Sequence, residues 1–180
     1  MFRMVRYTDH SLKLFFDRIK QEPWYANTLF VFTADHTFGE LSSNTTFLSK
    51  FSIPIFFFDA GDTRHKQKLT FPVQQADIIP SIMDYLHVPD TFRCFGNSIF
   101  NASEPHFAYH HEQGFYELIE DHALLQFDGT QVIGFYDLLK DPLQRTNRMG
   151  GDDPREQKLL LRLKAVIQTY HHAMITNQLH

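Results

Sequence analysis

The sequence predicts an α/β fold in which strands and helices alternate in the first half, with a small antiparallel meander and a long terminal helix in the second half. Three observations support this: short apolar runs at 28–34 and 53–58, helical periodicity at 5–20 and 75–86, and several short strand candidates after residue 100. Alternation of strands and helices is typical of a layered α/β architecture.

The first helix, residues 5–20, is predicted from one apolar face and ends before Pro23. Residues 28–34 are too short and too continuously apolar for a surface helix, so they indicate a buried strand. Residues 53–58 indicate a second buried strand, with Pro54 near its beginning, where proline is tolerated. The apolar positions of the helix are Leu12, Phe15, Phe16 and Ile19.

The second predicted helix, residues 75–86, has an apolar face, and Pro80 lies either at the end of its first turn or at its start. That face consists of Ile78, Ile79, Ile82, Met83 and Leu86.

The second half of the chain predicts an antiparallel meander. The Asp128-Gly129 dipeptide predicts a two-residue hairpin between its last two strands. After the meander, Asp153 and Pro154 open a long helix. The predicted strands are 106–110, 115–120, 123–127 and 131–136, and the apolar side of the helix carries Leu159, Leu163, Val166, Ile167, Tyr170 and Met174.

Composition excludes several classes of protein. The chain of 180 residues favours one domain with a real core, and its 19 Phe residues favour dense packing. Seventeen Lys and Arg against 21 Asp and Glu give a net charge of -4, which argues against nucleic acid as a partner. The single Cys94 excludes an internal disulfide framework. The longest apolar runs are far below the ~20 residues of a membrane span, and the start of the chain lacks the apolar region of a secretory signal.

The most informative stretch is TLFVFTADHTFG, in which an apolar strand ends on Asp35 and His36. Adjacent side chains of a regular strand point to opposite faces, so two neighbours converge on one ion only where the strand has ended. In open α/β sheets, ligands bind beyond the carboxyl ends of strands. Carboxylate oxygen with imidazole nitrogen suits Zn²⁺ or Mn²⁺ better than Ca²⁺.

A structural explanation of the pair stays open on the dipeptide alone. Asp35 can cap a following turn, and His36 can be an exposed histidine. Two further groups offer weaker candidate sites. His106, His110 and Glu112 could share one strand face, although we favour a solvated face there. The basic residues of 64–68 could meet an anionic substrate, although such a run is more typical of a solvated loop.

Several ordered blocks resemble the sulfatase/alkaline-phosphatase superfamily, and within it the lipoteichoic acid synthase-like branch of phosphoglycerol transferases. These blocks are VRYTDHSLKLFF, WYANTLFVFTADHT, FSIPIFFF, QQADIIPSIMDYL, FGNSIF and FYDLLKDPLQRTN. The resemblance extends from about Val5 to Asn147. It implies that residues 1–100 form the C-terminal part of an α/β metal-binding core, and that 101–180 form the meander and terminal helix of the same domain.

The resemblance also implies chemistry. Asp35 and His36 match the Asp-His pair that holds the catalytic divalent metal in this family. The resemblance implies that this metal is Mn, Zn, Mg or Ca, and the donor atoms favour Mn or Zn. That metal activates a Thr, Ser or formylglycine nucleophile in the transfer of a sulfuryl or phosphoryl group. Gln75, Asp77 and Pro80, in the block QQADIIPS, match structural positions.

One departure limits these expectations. The family's nucleophile and its remaining metal ligands lie upstream of the segment that matches Tyr7–Asp9, and Cys94 lacks the context of a formylglycine site. We therefore expect a C-terminal fragment of a metal-dependent sulfatase or phosphoglycerol transferase, inactive alone, whose parent is an enzyme acting on sulfate or phosphate esters at the extracytoplasmic face of a bacterial membrane. The alternative is a non-catalytic binding or scaffolding module. Missing strands would leave an exposed sheet edge, so a homodimer is a further expectation.

Overall fold

The chain forms a mixed α/β structure with antiparallel sheets and a long C-terminal helix, which confirms the predicted fold class. The computed structural model describes residues 2–37, 46, 48–62 and 68–178. The chain divides into two compact units: a first unit, Met1–His36 with Ile53–Lys68, and a second unit, Thr37–Ser52 with Leu69–His180. The expected subdivision near residue 100 stays a prediction. Among the described residues, no helix has the length and apolar character needed to cross a membrane.

The first unit contains helix α1 (Phe2–Ile19), strand β1 (Leu29–Thr33) and strand β2 (Ile55–Asp59). The two strands pair antiparallel, with Leu29 opposite Asp59 and Thr33 opposite Ile55. The end of β1 therefore lies beside the beginning of β2. The end of β2 lies at the opposite end of the strand pair. It is about 14 Å from the end of β1, because four residue steps along the strand separate them.

Aromatic side chains hold the first unit together. The ring of Phe16 in α1 lies 5.6 Å from Phe30, 5.8 Å from Phe32 and 5.5 Å from Phe58, measured between centroids. The prediction that both strands are buried is wrong, because every residue of β1 and β2 is half-buried or exposed and Phe56 is 60% exposed. The described neighbours of these strands, α1 and the ring of Trp24 among them, leave part of each strand exposed.

The second unit contains helix α2, a four-stranded sheet and helix α3. A 3₁₀ turn (Gln75–Asp77) leads into α2 (Ile78–Tyr85), and Pro80 is the third residue of that helix. The sheet has the order β3-β4-β5-β6 with antiparallel neighbours, as a meander requires. The remaining elements are β3 (Phe107–Glu112), β4 (Phe115–Glu120), β5 (Ala123–Phe127), β6 (Val132–Asp137) and α3 (Pro154–Ile175).

The turns of the meander differ from the prediction. The two-residue turns are Gln113-Gly114 and Asp121-His122, and all four residues have positive φ, as a type I′ turn requires. The two-residue hairpin predicted at Asp128-Gly129 is wrong, because Phe127 pairs with Val132 across a four-residue loop. There, the carboxylate of Asp128 accepts hydrogen bonds from the amides of residues 130 and 131, which favours the longer loop.

The core of the second unit lies between α3 and one face of the sheet. Arg162 of α3 fixes this packing, because its guanidinium bonds to the buried carboxylate of Glu120 at 2.5 Å from Nε to Oε2. Asp153 caps the helix by accepting from the amide of Arg155, at 3.0 Å. The buried apolar side chains of this core are Phe107, Leu118, Ala123, Leu125, Phe127, Phe135, Leu159 and Leu163.

Candidate functional site

Asp35 and His36 lie just beyond the end of β1, separated from Thr33 by one residue. The backbone amide of His36 donates to Oδ1 of Asp35 at 2.8 Å, so the chain turns back on the carboxylate at this point. The second carboxylate oxygen, Oδ2, lies 3.7 Å from Nε2 of His36. Both side chains are largely exposed, at 87% for Asp35 and 78% for His36. The turn thus brings an oxygen and a nitrogen donor onto one side of the backbone.

This geometry fits two ligands of one divalent cation. Bonds of about 2.0–2.2 Å to a tetrahedral metal place two ligand atoms roughly 3.4 Å apart. The observed 3.7 Å between Oδ2 of Asp35 and Nε2 of His36 is close to that separation. Two ligands do not complete a site, since zinc centres take three or more protein ligands. Among the residues that the structure describes, no group of three His, Cys, Asp or Glu side chains converges on one point.

Two further Asp-His pairs occur in the chain, each in a different local structure. Asp9 and His10 lie within α1, where successive residues are 100° apart around the helix axis. Asp121 and His122 form the β4–β5 turn, where the carboxylate of Asp121 bonds to Lys158 at 2.9 Å. Both Asp121-His122 and Asp35-His36 therefore follow a strand, and at 35–36 the carboxylate and the imidazole of the pair approach each other to 3.7 Å.

The antiparallel pairing places the end of β2 at the opposite end of the strand pair from Asp35 and His36. Strand pairing therefore does not bring the end of β2 to this site. Asp59, the last residue of β2, accepts from the backbone amides of Gly61 and Asp62, at 2.7 and 3.1 Å, and so orders its own turn. Of the basic run predicted as a weak candidate, residues 64–67 lie outside the described residues.

The histidine-rich segment does not gather into one site. Nε2 of His110 lies 3.8 Å from Oε2 of Glu112 on the same face of β3, and its ring stacks on Phe51 at 3.6 Å. His106 precedes the strand and stacks on Phe71 at 3.9 Å. Among the described residues no three such side chains converge, so these three candidate ligands do not form one site.

The block QQADIIPS is structural, in line with the resemblance. The buried carboxylate of Asp77 accepts from the backbone amides of Gln74 and Asn97, each at 2.9 Å, and burial raises its pKa. The amide of Ile99 donates to the hydroxyl of Ser81 at 3.0 Å. Sequence reasoning favoured Gln75 but missed Gln74, whose side chain bonds to Phe95 and Tyr109. Nothing in the local pattern separates the two glutamines, because these contacts join distant parts of the chain.

Comparison with known proteins gives one family match. The family model described as "Sulfatase" matches residues 1–88, a range that holds α1, β1, β2, α2 and the Asp35–His36 pair. This match supports the predicted sulfatase/alkaline-phosphatase superfamily. The chain is therefore sulfatase-like over its first 88 of 180 residues. A comparison with curated proteins found no match.

Proposed function

We propose that this chain is the C-terminal part of a metal-dependent enzyme that transfers or hydrolyses sulfuryl or phosphoryl esters, in the lipoteichoic acid synthase-like branch. The observation that most favours this function is the Asp35–His36 pair at the end of β1, inside the range that matches the sulfatase family. Its O and N donors lie 3.7 Å apart, as two ligands of one ion would.

Asp35 and His36 would supply half of the metal coordination. When bound, a divalent cation acts as a Lewis acid that stabilises the charge developing on a sulfate or phosphate ester. The donor set favours Mn²⁺ or Zn²⁺ over Mg²⁺ or Ca²⁺, because imidazole nitrogen is a poor ligand for the harder cations. The bond from the His36 amide to Asp35 leaves Oδ2 as the carboxylate oxygen directed toward the imidazole. That orientation is the contribution of the chain itself.

Metal titration of the 180-residue chain tests this assignment. We expect weak binding of Mn²⁺, followed by electron paramagnetic resonance, and at least a tenfold loss of affinity in the double variant Asp35→Asn, His36→Gln. The matched control is Asp9→Asn, His10→Gln, which removes the same chemical groups from α1 and leaves binding unchanged. Equal binding by the two double variants would exclude Asp35 and His36 as ligands.

Activity assays test the other half of the proposal. We expect no turnover of p-nitrophenyl sulfate or bis-p-nitrophenyl phosphate by this chain with Mn²⁺ or Zn²⁺, since no residue in it matches the family's nucleophile. In a longer polypeptide that supplies the nucleophile segment, Asp35→Asn and His36→Gln would each abolish turnover. A longer polypeptide that stays fully active with either change contradicts the proposal, as does turnover by the 180-residue chain itself.

A non-catalytic binding or scaffolding module is the second candidate. One observation favours it: no third metal-ligating side chain joins Asp35 and His36 within the described ranges. A module of this kind would bind the ester without turnover in every length of polypeptide, so the activity assay on the longer polypeptide separates the two candidates. The extracytoplasmic membrane location of the parent, and the division at residue 100 between core and meander, are part of the first proposal.

A further inference from the structure

We propose that two copies of this chain associate through the outer edge of β1. The association forms a continuous four-stranded sheet in the order β2-β1-β1-β2 around a twofold axis at Val31. This proposal is independent of the metal site, and it concerns only the first unit.

The outer edge of β1 has none of the features that protect exposed edges. Within the described part of the chain, β1 pairs with β2 alone, and its five residues, LFVFT, contain no charge and no proline. Exposed edges in proteins are normally blocked by Lys, Pro, bulges or a covering segment. β2 has such residues at both of its ends, since Pro54 precedes the strand and the charged Asp59 is its last residue. The unprotected edge of this sheet is therefore that of β1.

The second unit shows how the same chain covers an edge. At β3, the backbone amide of Tyr109 donates to the side-chain oxygen of Gln74 at 3.2 Å. At β6, the amide of Phe135 donates to Asn147 at 3.1 Å, and the carbonyl of Phe135 accepts from the amide of Arg148 at 2.8 Å. Both outer strands of the meander are thus tied to loops, whereas no such bond among the described residues reaches the edge of β1.

The strand length determines the register. When two identical five-residue strands pair antiparallel over their full length, the central residue faces its own copy, so Val31 lies on the twofold axis. Phe30 then lies opposite Phe32 of the second copy, and both belong to the face that contacts Phe16 of α1. The aromatic faces of the two copies become one continuous surface with both α1 helices on the same side.

Exposed aromatic rings extend to this edge. Phe15 and Trp24 are 44% and 46% exposed, and each ring lies 6.4 Å from Phe30 of β1. At about 150–250 Å² for a whole aromatic side chain, these two rings expose roughly 180 Å² per copy, or about 360 Å² for two. Stable interfaces bury about 1,200–2,000 Å², so the exposed rings account for a small part of that area and we expect a weak association held chiefly by backbone pairing between the two β1 strands.

Sedimentation equilibrium of the 180-residue chain tests the association. We expect a concentration-dependent shift to twice the 21.2 kDa chain mass. Trp24→Lys and Thr33→Lys would each raise the dimer dissociation constant at least tenfold, by placing a charge beside the edge. The matched control Leu139→Lys changes an equally apolar, 69% exposed side chain of the second unit and leaves the constant unchanged. A chain that is monomeric at every concentration overturns the proposal.

Cross-linking tests the register. In a Cys94→Ser background, Val31→Cys places two thiols opposite each other across the axis, within the 4.4–6.8 Å Cα separation that a disulfide requires. Phe56→Cys places a more exposed thiol on β2, far from the axis. We expect rapid oxidative dimerisation of the Val31→Cys chain and at least tenfold slower cross-linking of the other. Faster cross-linking through position 56 refutes the β1 edge, as does a dimer that is unaffected by Trp24→Lys.

Discussion

The buried carboxyl of Glu117 makes the stability of the second unit fall as pH rises. Its side chain is 2% exposed. Oε1 accepts from the side-chain Nε2 of Gln126 at 2.7 Å, whereas the buried Oε2 has no hydrogen-bond partner among the described residues. Burial raises the pKa of Glu117 above its ordinary value of 4.5, and the bond from Gln126 opposes only part of that shift. The folded state therefore holds this proton more tightly than the unfolded state.

The sign of the pH effect follows from linkage. Well below pH 4.5, Glu117 is protonated in both the folded and the unfolded state, so it does not make the free energy of unfolding depend on pH. Above that pH the unfolded state loses its proton first, so the free energy of unfolding falls by about 1.4 kcal/mol for each pH unit until the folded group also ionises. A buried carboxylate with one unsatisfied oxygen suggests a total loss of about 1–3 kcal/mol. For a chain of this length that corresponds to about 2–4 °C in Tm for each kcal/mol.

Urea unfolding of the Glu117→Gln variant measures this effect. Because glutamine stays neutral, the variant gains stability relative to the parent chain as pH rises from 4.5, and the gain levels off once the folded Glu117 ionises. The difference between the two proteins removes the contribution of His110, whose pKa is lowered by burial and whose stabilisation is lost below pH 6.5. Glu104→Gln, at an exposed position, is the control. Identical pH dependence in the parent and Glu117→Gln proteins would refute the reasoning.

Two further predictions concern α3. Leu163→Ala opens a cavity in the core and lowers the free energy of unfolding, measured by urea denaturation, by about 2–5 kcal/mol. The control variant Leu161→Ala, at a 60% exposed position, changes that free energy by no more than about 0.5 kcal/mol. Asp153→Ala removes the helix cap and costs about 1 kcal/mol at pH 7. The side-chain hydrogen bond from Arg155 lowers the pKa of Asp153 to about 2. The stabilisation by the Asp153 carboxylate is therefore present above pH 3.8 and lost as pH falls toward 2. A variant that is still destabilised by the full amount at pH 2 contradicts this reasoning.

Local signals in the sequence predicted most elements, because each depends on neighbouring residues. The apolar face of α1 predicted a helix ending before Pro23, and the structure ends it at Ile19. Strands β4 and β5 have the predicted bounds. Asp153 and Pro154 predicted the start of α3, since an aspartate cap followed by proline is a local signature. Such features are read within a few residues and need no knowledge of the fold.

The candidate site was predicted only in part. The sequence located Asp35 and His36 after a strand, and the resemblance of the surrounding blocks set this pair apart from Asp121-His122, which also follows a strand. The convergence of their donor atoms to 3.7 Å depends on the hydrogen bond between the His36 amide and Asp35, a detail of the turn. Glu117 escaped attention because an acidic residue in a strand is normally solvated. Its burial depends on distant residues, among them its hydrogen-bond partner Gln126 on the neighbouring strand β5.

The sequence by itself determined the identity of the elements, the absence of a charge on β1 and the position of Asp35 and His36, because these are properties of contiguous residues. Only the tertiary structure decided that β1 and β2 run antiparallel, that Phe56 is left exposed, and that loops cover the edges of the meander but leave β1 unprotected among the described residues. The physical reason is that strand direction and burial depend on which distant segments meet. A continuous apolar run records how much surface must be covered, but not what covers it.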